Sequence, residues 1–268
     1  MKILVPTDFS DNANNALSFA KKISEDRNDV QITLIFAYYA VYDFAAHAIE
    51  IIDSIETDAK KAMEKAVTKS QSEGIKIDYQ IVQGTVATSV TSKAYREDYD
   101  LIVMGTHGAS RFKKNLFGSN TGHVIKDSQV PVLAIPAHSS WEMVKEIIVG
   151  IELDDREKSF YKKLIGLTFP LGFPYHFVNL KLESATEEKI SLRDFELLFK
   201  ELFPEVVFTA SRQNAKSIIE GINFQLKEKP NSMLVMFYKK KSFFEYLFNA
   251  SDSLEMAYHS SVPLLVLK

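Results

Sequence analysis

The chain has 268 residues, which at about 100–200 residues per domain points to two ordinary domains or one large one. Apolar residues make up 46% and charged residues 25%, the balance of a soluble globular protein, and this excludes a disordered, fibrous or collagen-like chain. With 32 Lys and Arg against 35 Asp and Glu the formal net charge is −3, so no general field draws the chain to nucleic acid or anionic membrane, and a bound anion needs a local site.

In chain order, nearly continuous apolar runs fall at about 2–6, 31–37, 76–82, 100–104 and 130–135, as in strands covered on both faces. Helical stripes separate them. Ala13, Ala16, Leu17, Ala20 and Ile23 recur with a 3.6-residue period after Ser10 or Asp11, either of which can cap the helix. Ile52, Ile55, Ala59, Ala62, Met63 and Ala66 form a longer stripe, Val86, Val90 and Ala94 a third, and Val124, Ile125 and Ser128 a short fourth.

The second half repeats the plan, with strands expected near 145–151, 173–180, 205–210, 231–237 and 262–268. Its stripes are Phe195, Leu198, Phe199 and Leu202, then Ile218, Ile219, Ile222 and Leu226. Residues 2–11 align with 146–155, 101–104 with 233–236, and 130–135 with 262–267. Such self-similarity is the signature of a duplicated unit. The join falls in the short polar stretch 137–141, so the expected domains are 1–140 and 141–268. Alternating strands and helices make each an α/β domain, a five-stranded parallel sheet wound with right-handed crossovers and helices on both faces.

Ligands of open parallel sheets sit outside the carboxyl ends of the strands, where loop amides and helix N-termini point. The loops after the first and fourth strands are therefore the places to search. The first reads Pro6-Thr7-Asp8-Phe9-Ser10. The second starts Gly105-Thr106-His107-Gly108, carries Arg111, Lys113 and Lys114, and reaches Gly118-Ser119-Asn120-Thr121 at the start of the last helix. Gly105 and Gly108 would let backbone approach a bulky anion and would tolerate positive φ. The segment from Gly118 would turn free amides and hydroxyls toward phosphate at the positive end of a helix dipole. An ordinary strand–loop–helix link also accounts for isolated glycines. The conjunction of Gly-x2-Gly-x9-Gly-Ser with a Pro-Thr-Asp loop points instead to nucleotide binding.

On these residues the chain resembles a tandem universal stress protein, with the pattern of the ATP-binding subclass in Gly105, Gly108, Gly118 and Ser119. The resemblance implies two flavodoxin-like, Rossmann-like domains of the adenine nucleotide alpha hydrolase type, with strand order 3-2-1-4-5. It implies ATP as cofactor, with Asp8 and Ala37 flanking the adenine and Pro6, Thr7 and Gly105 beside the ribose. Met104, at the end of the fourth strand, belongs to the same site. His107, Gly108, Arg111, Gly118, Ser119, Asn120 and Thr121 would surround the phosphates, and Mg2+ would be carried on them. It further implies pairing of the two domains through their fifth strands as an intramolecular pseudo-dimer, with a homodimer as the alternative assembly, and a regulatory role in stress response.

The second copy departs from this pattern. Phe237 stands for Gly105, Lys240 for Gly108, Ala250 for Gly118 and Glu152 for Asp8, while Ser251 keeps the type of Ser119. The second domain is expected to be degenerate at this site. Phe243, Phe244, Tyr246 and Phe248 crowd the altered loop and are expected to fill the vacated pocket.

Other chemistries fare less well. The alternative is a slow ATPase or phosphotransferase of the same fold, for which His107 and Asp8 are the only nearby candidate groups; no catalytic residue is assigned. The Gly-x4-Gly-Lys-Ser/Thr loop of P-loop enzymes is absent, as is the glycine-rich first loop of adenylating synthetases. Lys239, Lys240 and Lys241 are the only dense basic run and are expected to be solvated, so nucleic acid is not an expected partner. His47, His123, His138, His176 and His259 show no metal-ligand spacing. With no cysteine, disulfides, thiolate metal sites and a cysteine nucleophile are excluded. No apolar run approaches the ~18 residues of a bilayer span, so the expected setting is cytoplasmic, without membrane contact.

Overall fold

The computed structural model describes residues 1–25, 27–39, 45–107, 118–153, 158–182, 189–238 and 262–268, with 45–51 as backbone only. They form two compact units that part between Ala137 and His138.

The first unit runs β1 (Lys2–Pro6), α1 (Asp11–Ser24), β2 (Gln31–Tyr38), α2 (Ala45–Ser72), β3 (Ile77–Gln83), α3 (Val86–Arg96), β4 (Leu101–Gly105), α4 (Ser119–Asp127) and β5 (Val132–Ile135). Its strands lie in the order β3-β2-β1-β4-β5, all neighbours parallel. The chain leaves β1 toward β2 and β3, then crosses back to β4, so the order reverses between β1 and β4. That reversal opens a crevice at the carboxyl ends of these two strands, where open α/β sheets bind ligands.

Local sequence dictates the pieces. Ile3, Leu4 and Val5 of β1 are fully buried, as are Ile102 and Val103 of β4, because helices cover both faces of the central strands. Ser10 is the cap of α1: its Oγ accepts the Ala13 N–H at 3.2 Å, which satisfies one of the orphan amides of the first turn. Ala13, Ala16, Phe19, Ala20 and Ile23 form the buried face of that helix. Thr85 caps α3 in the same way through the Thr88 N–H.

The second unit runs β6 (Glu146–Ile151), α5 (Lys158–Thr168), β7 (Tyr175–Leu182), α6 (Leu192–Leu202), β8 (Phe208–Ala215), α7 (Ile218–Glu228), β9 (Ser232–Phe237) and β10 (Leu264–Leu267). Its order, β8-β7-β6-β9-β10, is the wiring of the first unit. An aromatic core replaces the aliphatic one: Phe177 packs on Phe195 and Phe199 with ring centroids 5.2 and 4.6 Å apart.

The structure departs from the sequence expectations in three places. β3 and β8, the outer strands beyond β2 and β7, alternate between covered and exposed residues, because one face lacks the full helical cover of the central strands. β8 accordingly lies at 208–215, where polar alternation hides it, and not at 205–210. α5 has no counterpart among the expected stripes; Tyr161, Leu164, Ile165 and Thr168 bury it, but Lys162, Lys163 and Gly166 interrupt the apolar run. The aromatic and lysine cluster expected in the second unit, from Lys239 through Ser251, lies outside the described residues.

Candidate functional site

The loop after β1 is built by its own side chains. The Thr7 N–H extends the ladder by donating to the Ile35 carbonyl at 2.9 Å. Thr7 Oγ1 then accepts the Phe9 N–H at 3.0 Å, and Asp8 Oδ1 accepts the Ser10 N–H at 3.1 Å, two local turns of the kind Thr and Asp favour. Phe9 adopts a φ of 62°, a left-handed conformation that costs a bulky residue about 1–2 kcal/mol. Its ring stacks on Phe36 of β2 with centroids 5.2 Å apart, a contact of comparable worth. The reversal brings exposed Asp8 to the carboxyl edge of the sheet.

Across the crevice, β4 ends at Gly105 and passes into buried Thr106 and half-buried His107. The Thr106 N–H donates to the Ile135 carbonyl at 2.9 Å, and the Thr106 carbonyl accepts the Gly118 N–H at 2.7 Å. His107 Nδ1 lies 3.1 Å from Thr106 Oγ1. Gly118, at φ −58°, is the cap residue of α4, and having no side chain it makes no cap hydrogen bond to the first turn of that helix. Uncapped amides at a helix N-terminus attract anions. Ser119 and Asn120 are exposed there.

The predicted site residues therefore separate into groups. Pro6, Thr7 and Asp8 stand at the end of β1, half-buried Ala37 near the end of β2 opposite Val82, and Gly105, His107, Gly118, Ser119 and Asn120 at the ends of β4 and α4. Met104 is buried within β4, opposite Ala134. Thr121 is also buried, and its Oγ1 donates to the Gly105 carbonyl at 2.8 Å; its hydroxyl is committed to packing α4 on β4, not turned outward. Gly108 and Arg111, with Lys113 and Lys114, lie outside the described residues.

The two described glycines differ in kind. Neither has positive φ. A Cβ on Gly105 would stand 2.8 Å from Asn12 Cγ and 3.0 Å from the Asn12 carbonyl oxygen, so α1, not an anion, demands a glycine there. A Cβ on Gly118 would meet the Thr106 carbonyl oxygen at 3.4 Å and His107 Cα at 3.6 Å, ordinary contacts. Among the described residues, packing leaves room for a side chain at Gly118.

Asn12 was invisible to motif reasoning. It is 7% exposed, its Nδ2 donates to the Ile135 carbonyl at 2.9 Å, and its Oδ1 accepts the His107 N–H at 3.0 Å. The available signal was a polar residue four positions before Ala16, on the apolar face of α1. Among the described residues no three His, Asp or Glu side chains gather as a metal site, and no helix is long and apolar enough to cross a membrane.

The second unit fills the corresponding place with carbon. Phe237, at the end of β9, lies 5.3 Å in ring centroids from Phe160 of α5 and 6.1 Å from Tyr161. Where β4 and α1 of the first unit meet as glycine and asparagine, β9 and α5 meet as aromatic rings.

Comparison with known proteins gives this arrangement a context. The model of the Universal stress protein family matches residues 1–136. Universal stress protein MJ0577 of Methanocaldococcus jannaschii is 31% identical over 159 residues, covering 52% of this chain and 96% of its own. Universal stress protein MJ0531 of the same organism is 28% identical over 139 residues, covering 50% and 81%. The crystal structure of a universal stress protein from Archaeoglobus fulgidus DSM 4304 matches 100% of this chain and 98% of its own at a TM-score of 0.73, with 20% identity, a likeness of fold.

Proposed function

The chain belongs to the universal stress protein family, and from that premise we propose that its first unit binds ATP in the crevice between β1 and β4 as the nucleotide-responsive part of a cytoplasmic stress regulator. The observation that carries this reading is Gly118: a cap residue with no side chain to bond the first-turn amides, at a position where, among the described residues, packing leaves room for a side chain. Phosphate oxygens fit such a position because the first-turn amides and the positive end of the helix dipole are open to them.

In this reading Asp8 and Ala37 border the adenine, and Pro6, Thr7, Met104 and Gly105 wall the ribose side. His107, Ser119, Asn120 and the backbone of Gly118 and Thr121 receive the phosphates, together with Gly108 and Arg111. Mg2+, where present, would be carried on the phosphates. The second unit, 141–268, is a degenerate copy, and the two units pair through Val132–Ile135 and Leu264–Leu267. In a chain without cysteine, one cysteine placed in each of these strands tests the pairing: oxidation gives an intramolecular cross-link if it is right.

Mass spectrometry of ligand released from purified protein, with calorimetric titration of ATP, tests the main reading. An adenine nucleotide in the released fraction or saturable ATP binding supports it. The absence of both overturns it.

A further inference from the structure

We infer that Asn12 is the positioning residue that sets the distance between the two walls of the crevice, an inference that rests on the nucleotide reading above. Asn12 sits in the first turn of α1, directly after the loop that carries Thr7 and Asp8. Its side chain reaches the opposite wall, with Oδ1 on the His107 N–H at 3.0 Å and Nδ2 on the Ile135 carbonyl at 2.9 Å. The two partners fix its orientation, since a carbonyl can only accept and an amide N–H can only donate. One planar amide thus joins the start of α1, the end of β5 and the exit from β4.

The backbone beyond β4 is tethered residue by residue. The Gly105 carbonyl is held by Thr121 Oγ1 at 2.8 Å. The Thr106 N–H and carbonyl are held by Ile135 and Gly118 at 2.9 and 2.7 Å. The His107 N–H is held by Asn12, the one tether of this set that comes from α1 and the base side of the crevice. Removing it takes the Asn12 acceptor from the His107 amide and one of two donors, the other being the Thr106 N–H, from the Ile135 carbonyl, and uncouples the phosphate side from the adenine side. A ligand spanning both walls feels that loss, and a ligand confined to the base side does not.

The test uses the full chain and the variants Asn12→Ala and Asn12→Asp. Asn12→Asp retains an acceptor for the His107 N–H but loses the donor to the Ile135 carbonyl. Without nucleotide, hydrogen exchange at the His107 amide should rise about tenfold or more in Asn12→Ala and stay slow in Asn12→Asp. In calorimetry, Asn12→Ala should weaken ATP about tenfold while adenosine stays within about twofold. Unchanged exchange at His107, or equal loss of ATP and adenosine, overturns the assignment. A wild-type chain that binds no ATP overturns the nucleotide reading; a wild type that binds ATP beside an unaltered Asn12→Ala overturns this inference alone.

Discussion

Gly105 and Asn12 occupy each other's space: the missing side chain of Gly105 is where Asn12 Cγ lies, 2.8 Å from the position a Cβ would take. The pair does two jobs. It lets α1 pack closely on β4, and it delivers the Asn12 amide to the His107 N–H.

Gly105→Ala should therefore destabilise the first unit by about 1–3 kcal/mol through overpacking. Combined with Asn12→Ala, the penalty should shrink but not vanish, because the Asn12 carbonyl oxygen also stands 3.0 Å from the new Cβ. Urea unfolding of the wild type, both single variants and the double variant reads the coupling. Strict additivity would contradict the contact.

Gly118→Ser separates folding from binding. Serine is a better helix cap than glycine by a few tenths of a kcal/mol, and a Cβ fits here with ordinary contacts. The urea midpoint should hold or rise slightly while ATP affinity falls about tenfold or more, because the new hydroxyl takes the amides that phosphate needs. Undiminished ATP binding in this variant would remove Gly118 from the site.

One nucleotide per chain is expected, because the place of Gly105 is taken in the second unit by Phe237, whose ring lies 5.3 Å from that of Phe160. Phe237→Ala should cost about 2 kcal/mol without creating a second site. Calorimetric stoichiometry near two for either protein would refute this expectation.

His176 makes the second unit sensitive to acid. Burial depresses its pKa below the usual histidine value, and the Lys229 charge depresses it further, against a smaller opposing effect of Glu146. Its ring bonds Thr209 Oγ1 at 2.7 Å and Ser211 Oγ at 3.1 Å. The folded state thus keeps the ring neutral while the unfolded chain takes up a proton near pH 6.5. The stabilisation from the neutral ring is complete above that pH and is lost as the pH falls toward and through the folded pKa. His176→Gln should flatten the fall in urea midpoint between about pH 7 and 5; an unaltered slope would assign the acid sensitivity elsewhere.

Much of the fold was legible because apolar periodicity reports which face of an element is buried. The central strands, the Ser10 cap and the glycine at the start of α4 all follow from residues near one another in the chain. α5 and β8 escaped because lysines and a glycine interrupt the one, and exposure on one face breaks the apolar run of the other.

The candidate site was legible as a motif and not as a set of contacts. Sequence alone determined that three glycines, Gly105, Gly108 and Gly118, and a Pro-Thr-Asp loop lie at and after the ends of the strands that flank the crevice. The tertiary structure decided that Gly105 is required by Asn12, that among the described residues Gly118 has room for a side chain, and that the Thr121 hydroxyl is committed to the Gly105 carbonyl. The reason is distance along the chain. The partners of Asn12 lie 95 and 123 residues away, and periodicity says that a side chain is buried without saying which atom it will meet.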